Sequence, residues 1–177
     1  MALYLAVPGR KHRQAWKELL RAFGQDGARR CATYGDVKTY GKFLRKCRHY
    51  AQGRHIPKHH VPGSKFFLME EGSEKNRSAK ILGVIDIRHR LNDDLLNNPG
   101  GHIGYAVAPG ERRRGYATQQ LRLALAICRE MGMDRVLITC QKANIASARV
   151  IQKNGGALED ERMDKDGLVF QRYWIEL

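Results

Sequence analysis

Short apolar runs alternate with one-sided helical stripes along the chain, and this alternation predicts its secondary structure. Apolar residues recur at helical spacing in three segments, most clearly over 115–131. Gly, Pro and polar clusters separate the other apolar runs, which have the length of strands. In chain order the predicted elements are a strand over 2–7, helices over 10–23 and 38–52, strands over 65–71, 80–89 and 102–109, a helix over 115–131, a strand over 136–140, a helix over 144–154 and a terminal hairpin over 156–177.

This order of elements predicts one domain with a mixed α/β sheet flanked by helices. The chain has 177 residues, which suits one domain better than two. Within it, a basic helical part over about 1–63 would precede a part over about 64–177 that holds most strands. No apolar stretch is long enough to cross a bilayer and no signal peptide is visible, so we expect a cytoplasmic protein.

Positive charge is concentrated in the first third of the chain. The formal net charge is +14, and residues 1–65 hold 15 Lys and Arg against three acidic residues, whereas residues 66–177 hold 17 against 15. Such a region attracts anions, which include nucleic acid, membrane surfaces and acidic small molecules. A solubilising surface that binds no particular partner is the alternative that the charge leaves open.

An arginine-rich loop between a strand and the clearest helix carries the strongest chemical signal. The strand ends at Pro109, Arg112–Arg114 follow, and the helix begins at Gly115–Ala117. Small residues let a ligand approach the backbone, and the N–H groups and positive dipole of the first helical turn suit a phosphate or pyrophosphate. Neither a Walker loop nor the dinucleotide-binding glycine fingerprint occurs here. A solvated run of charge is the alternative interpretation of the arginines.

The stretch HIGYAVAPGERRRGYATQQLRLAL resembles the GCN5-related N-acetyltransferases (GNAT). The family's pyrophosphate signature, Arg/Gln-x-x-Gly-x-Gly/Ala, appears as Arg112-x-x-Gly115-x-Ala117, and VLITCQKANIASARVIQKNGG resembles the family's fifth strand and following helix. The resemblance covers 64–177 and implies the acyl-CoA N-acyltransferase fold, with a mostly antiparallel sheet, acetyl-CoA as co-substrate and no metal. The acetyl-CoA contacts that it implies are Tyr105, Val107, Arg112, Arg113, Arg114, Gly115, Tyr116, Ala117, Thr118, Asn144 and Ser147.

The run IDIRHRLNDDLLNNPGGHIGY is similar to a bacterial subgroup of predicted acetyltransferases without an assigned substrate. This similarity implies that Arg88, His89 and Asn92 lie near the acceptor. Arg88 and His89 are neighbours on one strand and therefore face opposite sides of the sheet, so that one of them can reach the acceptor cleft. Arg88 would hold a carboxylate or phosphate of the substrate, or it is an exposed strand charge.

The catalytic acid and base do not stand at the positions that are usual in the family. The tyrosine that many members carry seven residues after the asparagine is Ile151 here, which has no proton to give. Ser147 or a water would replace it, or the thiolate leaves unassisted because a thiol has a pKa of about 8.5. An amine with a pKa of about 10 must lose a proton before it attacks the thioester.

His102 is the first candidate for this base, since the fourth strand offers no carboxylate and histidine titrates near neutral pH. Asp86 on the third strand is the second candidate. The alternatives are a hydrogen-bonded strand residue for His102 and an ion pair with a nearby arginine for Asp86.

The sequence thus predicts an enzyme that moves acetyl from acetyl-CoA to a primary amine of a small molecule by direct transfer. A non-catalytic CoA-binding sensor and a nucleic-acid-binding module that uses the basic first third are the alternatives. We expect an acceptor with an acidic group and no membrane partner. Binding of nucleic acid is disfavoured because no known binding motif occurs. The sequence is compatible with a homodimer. No metal is expected, because His49, His55, His59, His60 and the four cysteines lack metal-site spacing.

Overall fold

Seven strands and five α-helices make up the described part of the chain. The computed structural model describes residues 2–24, 26–33, 37–71 and 80–177. The elements are β1 (Leu3–Ala6), α1 (Arg13–Phe23), α2 (Tyr40–Gln52), β2 (Gly63–Glu70), β3 (Gly83–Arg88), α3 (Asp93–Asn97), β4 (Ile103–Val107), α4 (Tyr116–Glu130), β5 (Arg135–Gln141), α5 (Ile145–Lys153), β6 (Ala157–Met163) and β7 (Val169–Glu176). Short 3-10 helices cover Arg10–His12, Gly27–Ala32 and Pro109–Glu111.

The first four strands form an antiparallel sheet in the order β1-β2-β3-β4. Asp86 of β3 lies between Lys65 of β2 and Gly104 of β4 in the register. Because side chains alternate between the faces of a sheet, Asp86 and Arg88 share one face, while Tyr105 belongs to the other. The central strands therefore supply polar side chains to two separate sides of the sheet.

The face that carries Asp86 packs against α1 and α2. Its hydrophobic core joins Trp16 and Phe43 of these helices to Phe67 and Val84 of the sheet. Trp16 and Phe43 stack with ring centroids 5.3 Å apart, and Phe43 stacks on Phe67 at 6.0 Å. The two helices thus lie side by side on one face, which brings their outward sides to one surface.

The opposite face packs against α4 and the second sheet. Ile85 and Ile87 of β3 meet Leu121 and Leu125 of α4 in a second core, to which β5 and β7 also contribute. The second sheet has the order β5-β7-β6 and is antiparallel throughout its described pairs.

The two sheets touch at a narrow junction between β4 and β5. A single bridge pairs Gly101 with Ile138. The N–H of His102 donates to the carbonyl oxygen of Leu137 at 2.7 Å, and the N–H of Leu137 donates to Nδ1 of His102 at 2.9 Å. Among the described residues no regular ladder extends this pairing, so β4 and β5 separate beyond the junction.

The observed elements follow the predicted order, and the mixed α/β fold with antiparallel strands and flanking helices is confirmed. Two differences stand out. The strands form two sheets, and the polar segment before β4 contains α3, whose start is capped by Asn92 through a 3.0 Å hydrogen bond from the N–H of Leu95. The turn expected over 72–79 lies outside the described residues. No helix in the described ranges is long and apolar enough to cross a membrane.

Candidate active site

A cleft of about 720 Å³ opens where β4 separates from β5, at the N-terminal ends of α4 and α5. We call it the α4–α5 cleft. It contains ten of the eleven residues for which the sequence implies acetyl-CoA contacts. Its lining comprises Asp26, Ala28, Cys31, Tyr105, Ala106, Val107, Glu111, Arg112, Arg113, Gly115, Tyr116, Ala117, Thr118, Asn144, Ala146, Ser147 and Val150.

The start of α4 presents backbone donors to this cleft. Gly115 precedes the helix in the left-handed conformation at φ 81°, and no side chain caps it. Arg113 also has a positive φ, of 65°, which is uncommon outside glycine. The loop therefore turns sharply, and the first N–H groups of a 15-residue helix stay available for an anion.

The three arginines of the loop have different partners. Arg112 donates to Oδ2 of Asp26 at 2.6 Å and lies at the rim of the cleft, where Arg113 also lines it. Arg114 lies outside the lining, and its guanidinium contacts Glu111 at 3.0 Å. Glu111 is buried and also pairs with Lys80, and a buried carboxylate requires such partners.

Tyr105 and Ser147 bring two hydroxyl groups together inside the α4–α5 cleft. The hydroxyl oxygens lie 2.9 Å apart. Burial raises the pKa of Tyr105 to about 12, so this phenol keeps its proton at neutral pH. Asn144 caps α5 by accepting a 3.1 Å hydrogen bond from the N–H of Ser147, which fixes the serine within the cleft.

A second cleft of about 580 Å³ lies on the other face of the first sheet, between β3 and α2. We call it the α2–β3 cleft. Its lining comprises Cys31, Thr33, Lys46, Tyr50, Pro57, His59, His60, Val61, Gly63, Lys65, Asp86, Arg88, Asp94, Leu95 and Gly104. The two clefts share Cys31, and they meet at β4, where Gly104 lines one and its neighbour Tyr105 lines the other.

Asp86 is the central carboxylate of the α2–β3 cleft. Its Oδ1 atom is buried and accepts no hydrogen bond from the described residues. The ammonium of Lys65 lies 3.5 Å away and donates to the carbonyl oxygen of Cys31 at 2.8 Å. The ion pair that the sequence suggests for Asp86 thus exists with a lysine, and the buried oxygen that faces Lys65 is the one without a hydrogen bond.

Of the three residues predicted to bind the acceptor, one lines the α2–β3 cleft and two lie outside its lining. Arg88 lines the α2–β3 cleft and is held by a 2.7 Å hydrogen bond from its guanidinium to the carbonyl oxygen of Gly101. His89 lies just beyond the end of β3 and pairs with the hydroxyl of Ser64 at 2.8 Å. Asn92 is outside the lining, because its side chain caps α3 and donates to the carbonyl oxygen of His59.

His102 has a structural position in the junction between the sheets. The side chain is 9% exposed and lines neither cleft. Its Nδ1 accepts the hydrogen bond from Leu137, and burial, followed by the charge of Arg88, lowers the pKa of the imidazole to about 4. These observations favour the hydrogen-bonded strand residue over the catalytic base.

Ile151 is fully buried in the core between α4 and the second sheet. The side chain from this turn of α5 that lines the cleft is its neighbour Val150. A tyrosine at position 151 would therefore be forced into a packed core, and it would not restore a proton donor in the cleft.

The α2–β3 cleft also contains a pair that the sequence does not reveal. The hydroxyl of Tyr50 lies 2.5 Å from Nδ1 of His60. The two residues are ten positions apart, across the end of α2 and a proline-containing loop, and no spacing rule connects them. Within the described ranges no group of three or more His, Cys, Asp or Glu is arranged to hold a metal ion.

Comparison with known proteins agrees with this geometry. The acetyltransferase (GNAT) domain family matches residues 14–157. No curated protein sequence shows a significant match. The chain is similar in structure to RimL, a ribosomal-protein α-N-acetyltransferase solved with coenzyme A, at TM-score 0.70 and 15% identity over 100% of this chain and 95% of that one.

Two further acetyltransferases have the same fold. A GNAT-family acetyltransferase from Bacillus anthracis superposes with TM-score 0.64 and 18% identity over 99% of this chain and 95% of that one. The microcin self-immunity acetyltransferase MccE, solved with acetyl-CoA and AMP, superposes with TM-score 0.63 and 15% identity over 99% of this chain and 92% of that one. The family match spans most of the chain, and the chain therefore belongs to the GNAT family of acetyl-CoA-dependent acetyltransferases.

Proposed function

We propose that this enzyme transfers acetyl from acetyl-CoA to the primary amine of a small molecule in one ternary complex. The observation that carries the proposal is the meeting of the two clefts at β4. A thioester in the α4–α5 cleft and an amine in the α2–β3 cleft would meet beside Gly104, Tyr105 and Cys31. Positioning of this kind removes much of the barrier to a bimolecular reaction.

The α4–α5 cleft fits the donor because its charge and shape match the parts of acetyl-CoA. The uncapped first turn of α4, with Arg112 and Arg113 at the rim, would bind the pyrophosphate. The edge of β4 at Tyr105 and Val107 faces the space left by β5 and would pair with the amides of the pantetheine arm. Ser147 would lie near the thioester end.

Asp86 is the base in this proposal. The carboxylate of Asp86, which lines the α2–β3 cleft, would bind the acceptor ammonium and take one proton, directly or through water. The neutral nitrogen then attacks the thioester carbonyl carbon, and the carbon–sulfur bond breaks with its electron pair on the sulfur. The nitrogen loses its second proton to water, which leaves a neutral amide, and the thiolate takes up a proton from water. Tyr105 is protonated at neutral pH and would donate a hydrogen bond to the departing sulfur, with Ser147 orienting its hydroxyl.

The charges of the α2–β3 cleft favour an amine that also carries an acidic group. Arg88 points its guanidinium at this cleft from a fixed position, and Lys46 lines the same space. A carboxylate or phosphate bound by Arg88 would leave the amine to Asp86. This arrangement supports a compact zwitterionic or phosphorylated amine over a polyamine.

Initial rates with a panel of amines test the proposal. The panel would contain amino acids, amino sugar phosphates, polyamines and short peptides with varied N-terminal residues, and both substrates would be varied. Intersecting double-reciprocal lines are expected for a ternary complex, and parallel lines would contradict direct transfer. Binding of acetyl-CoA without turnover of any amine would favour the sensor.

An arginine variant tests the acceptor class separately. Arg88→Gln should raise the KM of acidic amines by roughly 10- to 100-fold, because a charge-assisted pair contributes about 1.5–3 kcal/mol. Arg122→Gln on the exposed side of α4 is the matched control. Polyamines that react faster than acidic amines would contradict the acidic-acceptor proposal.

A further inference from the structure

The outward sides of α1 and α2 form one strongly basic surface. Ten exposed Lys and Arg side chains lie on 10–23 and 38–52, five on each segment. Because Trp16 packs against Tyr40 and Phe43, with centroids 5.2 and 5.3 Å apart, the two helices are neighbours and their outward charges share one face. We call this surface the α1–α2 basic face.

The two segments that form the basic face contain almost no acidic residues. Glu18 is the only acidic residue in the two segments, and it accepts a hydrogen bond from Gln14. On α1, Arg13, Lys17 and Arg21 follow one another at a spacing of four residues, where like charges destabilise a helix. The pKa of the His49 imidazole is lowered, first by burial and then by the positive charges of His55 and the arginines of α2. An anionic partner would offset this repulsion.

The composition of the face argues against a protein partner. Protein interfaces are anchored by buried aromatic and apolar side chains. In the described parts of the first 65 residues, Val7 is the only strongly exposed large apolar residue. Interfaces with nucleic acid are polar and positively charged, as this one is.

A cleft of about 430 Å³ opens within the basic face. We call it the α2–β1 cleft. Leu44, Cys47 and Ala51 of α2 supply apolar walls, and the exposed Arg10 and Arg48 also line it. A planar apolar ring can enter such a cleft while its phosphates remain at the arginines. Neither the α4–α5 cleft nor the α2–β3 cleft includes these residues.

We propose that the α1–α2 basic face binds single-stranded nucleic acid, with one base in the α2–β1 cleft and the backbone phosphates along the cations of α1 and α2. Single-stranded binders combine a basic track with apolar or aromatic base sites, and both features are present here. A duplex keeps its bases stacked, so it can use the cations but cannot fill the cleft. The inference is independent of which amine the enzyme acetylates.

Fluorescence anisotropy with labelled 12-nucleotide strands tests the proposal. We expect RNA or DNA single strands to bind more tightly than the duplex of the same sequence. The logarithm of the affinity should fall with the logarithm of the salt concentration at a slope of about −3, which corresponds to roughly four phosphates. Single-stranded RNA and DNA of one sequence distinguish the two sources of the phosphate backbone.

Charge-matched variants locate the surface. The triple variant Arg13→Gln, Lys17→Gln, Arg48→Gln should weaken binding about 100-fold at 0.1 M salt and make the slope shallower by about 2. The control is Arg122→Gln, Arg129→Gln, Lys153→Gln, which removes the same three charges from exposed positions on α4 and α5. Equal losses in both triple variants would overturn the assignment to α1 and α2.

A cleft variant separates base recognition from general attraction. Ala51→Leu narrows the α2–β1 cleft and should weaken single-strand binding about five- to tenfold, with the salt slope and duplex binding unchanged. Thermal unfolding of each variant checks that the fold is intact. Duplex, inorganic polyphosphate or polyglutamate binding as tightly as the single strand would overturn the proposal.

Discussion

The two clefts beside β4 are assembled from the chain in different ways. The α4–α5 cleft takes most of its lining from two continuous stretches, 105–118 and 144–150. The α2–β3 cleft gathers its lining from separate parts of the N-terminal helical region, the loop over 57–63, β2, β3, α3 and β4. One site is encoded locally, whereas the other exists only when distant segments have packed together.

The two clefts also differ in the groups that they offer to a ligand: backbone N–H groups in the α4–α5 cleft and charged side chains in the α2–β3 cleft. At the α4–α5 cleft the groups available to an anion are N–H groups of a helix start, and any sequence that forms this turn supplies them. At the α2–β3 cleft the charges of Lys65, Asp86 and Arg88 define the chemistry. Under the proposed function, we expect substitutions there to change the preferred acceptor and to leave acetyl-CoA binding unaltered.

The largest expected effect comes from the carboxylate of the α2–β3 cleft. Asp86→Asn should lower kcat by about 10²–10⁴, the usual contribution of general acid–base catalysis, and leave the acetyl-CoA affinity nearly unchanged. Steady-state kinetics measure kcat, and calorimetry measures the acetyl-CoA affinity. Asp86→Glu keeps a carboxylate beside Lys65 and should recover part of the rate. An Asn variant with a wild-type kcat would remove Asp86 from the mechanism.

The donor cleft is tested by a glycine variant with a matched control. Gly115→Glu should weaken acetyl-CoA binding by at least about 100-fold, because it puts a negative charge at the anion-binding helix start. Gly167→Glu introduces the same charge at a similar positive φ, 79° against 81°, with no atoms near the new Cβ in either case. Both variants bear similar backbone strain, so calorimetry of the pair isolates the electrostatic effect. Equal affinities in the two variants would place the pyrophosphate elsewhere.

His102 distinguishes a structural histidine from a catalytic one. Its folded-state pKa of about 4 lies below the ordinary value of 6.5, so the unfolded chain takes up the proton first as the pH falls. Its contribution to stability is therefore complete above pH 6.5 and is lost between about 6.5 and 4, by roughly 3 kcal/mol.

His102→Gln offers an amide oxygen to the N–H of Leu137 and should remove this part of the pH dependence. Urea unfolding of both proteins at pH 7.5 and pH 4.5 measures the difference. The ascending limb of the pH–rate profile should be the same in wild type and variant. A variant that loses this limb would return His102 to the catalytic role that the sequence suggests.

The sequence predicts the fold and the α4–α5 cleft well because their signals are local. Periodicity identifies each long helix and strand, and the spacing from Arg112 to Ala117 identifies the helix start. The same signal does not indicate that Arg114 pairs with the buried carboxylate of Glu111. A run of three arginines gives no information about which guanidinium faces the ligand.

The α2–β3 cleft is poorly predictable because its partners are distant in the chain. The loop histidines look unrelated to Tyr50 until the chain folds back and pairs Tyr50 with His60. His102 is attractive as a base in the sequence, but the missing information is the N–H of Leu137, which occupies its Nδ1. Long-range pairing decides both cases, and no spacing within one segment records it.

The smallest expected effect concerns the contact that joins the N-terminal region to the donor cleft. Asp26 accepts a 2.6 Å hydrogen bond from Arg112, while the N–H of Ala28 and then this arginine hold the pKa of Asp26 below its usual range. The pyrophosphate and Asp26 would compete for the same guanidinium. Because exposed ion pairs are weak and screened by salt, Asp26→Asn should raise the acetyl-CoA affinity no more than about fivefold, and less at high salt. Calorimetry at 50 mM and 500 mM salt measures the effect, with Asp166→Asn in the β6–β7 turn as the control. A loss of affinity in the Asp26 variant would mean instead that this carboxylate positions Arg112 for the pyrophosphate.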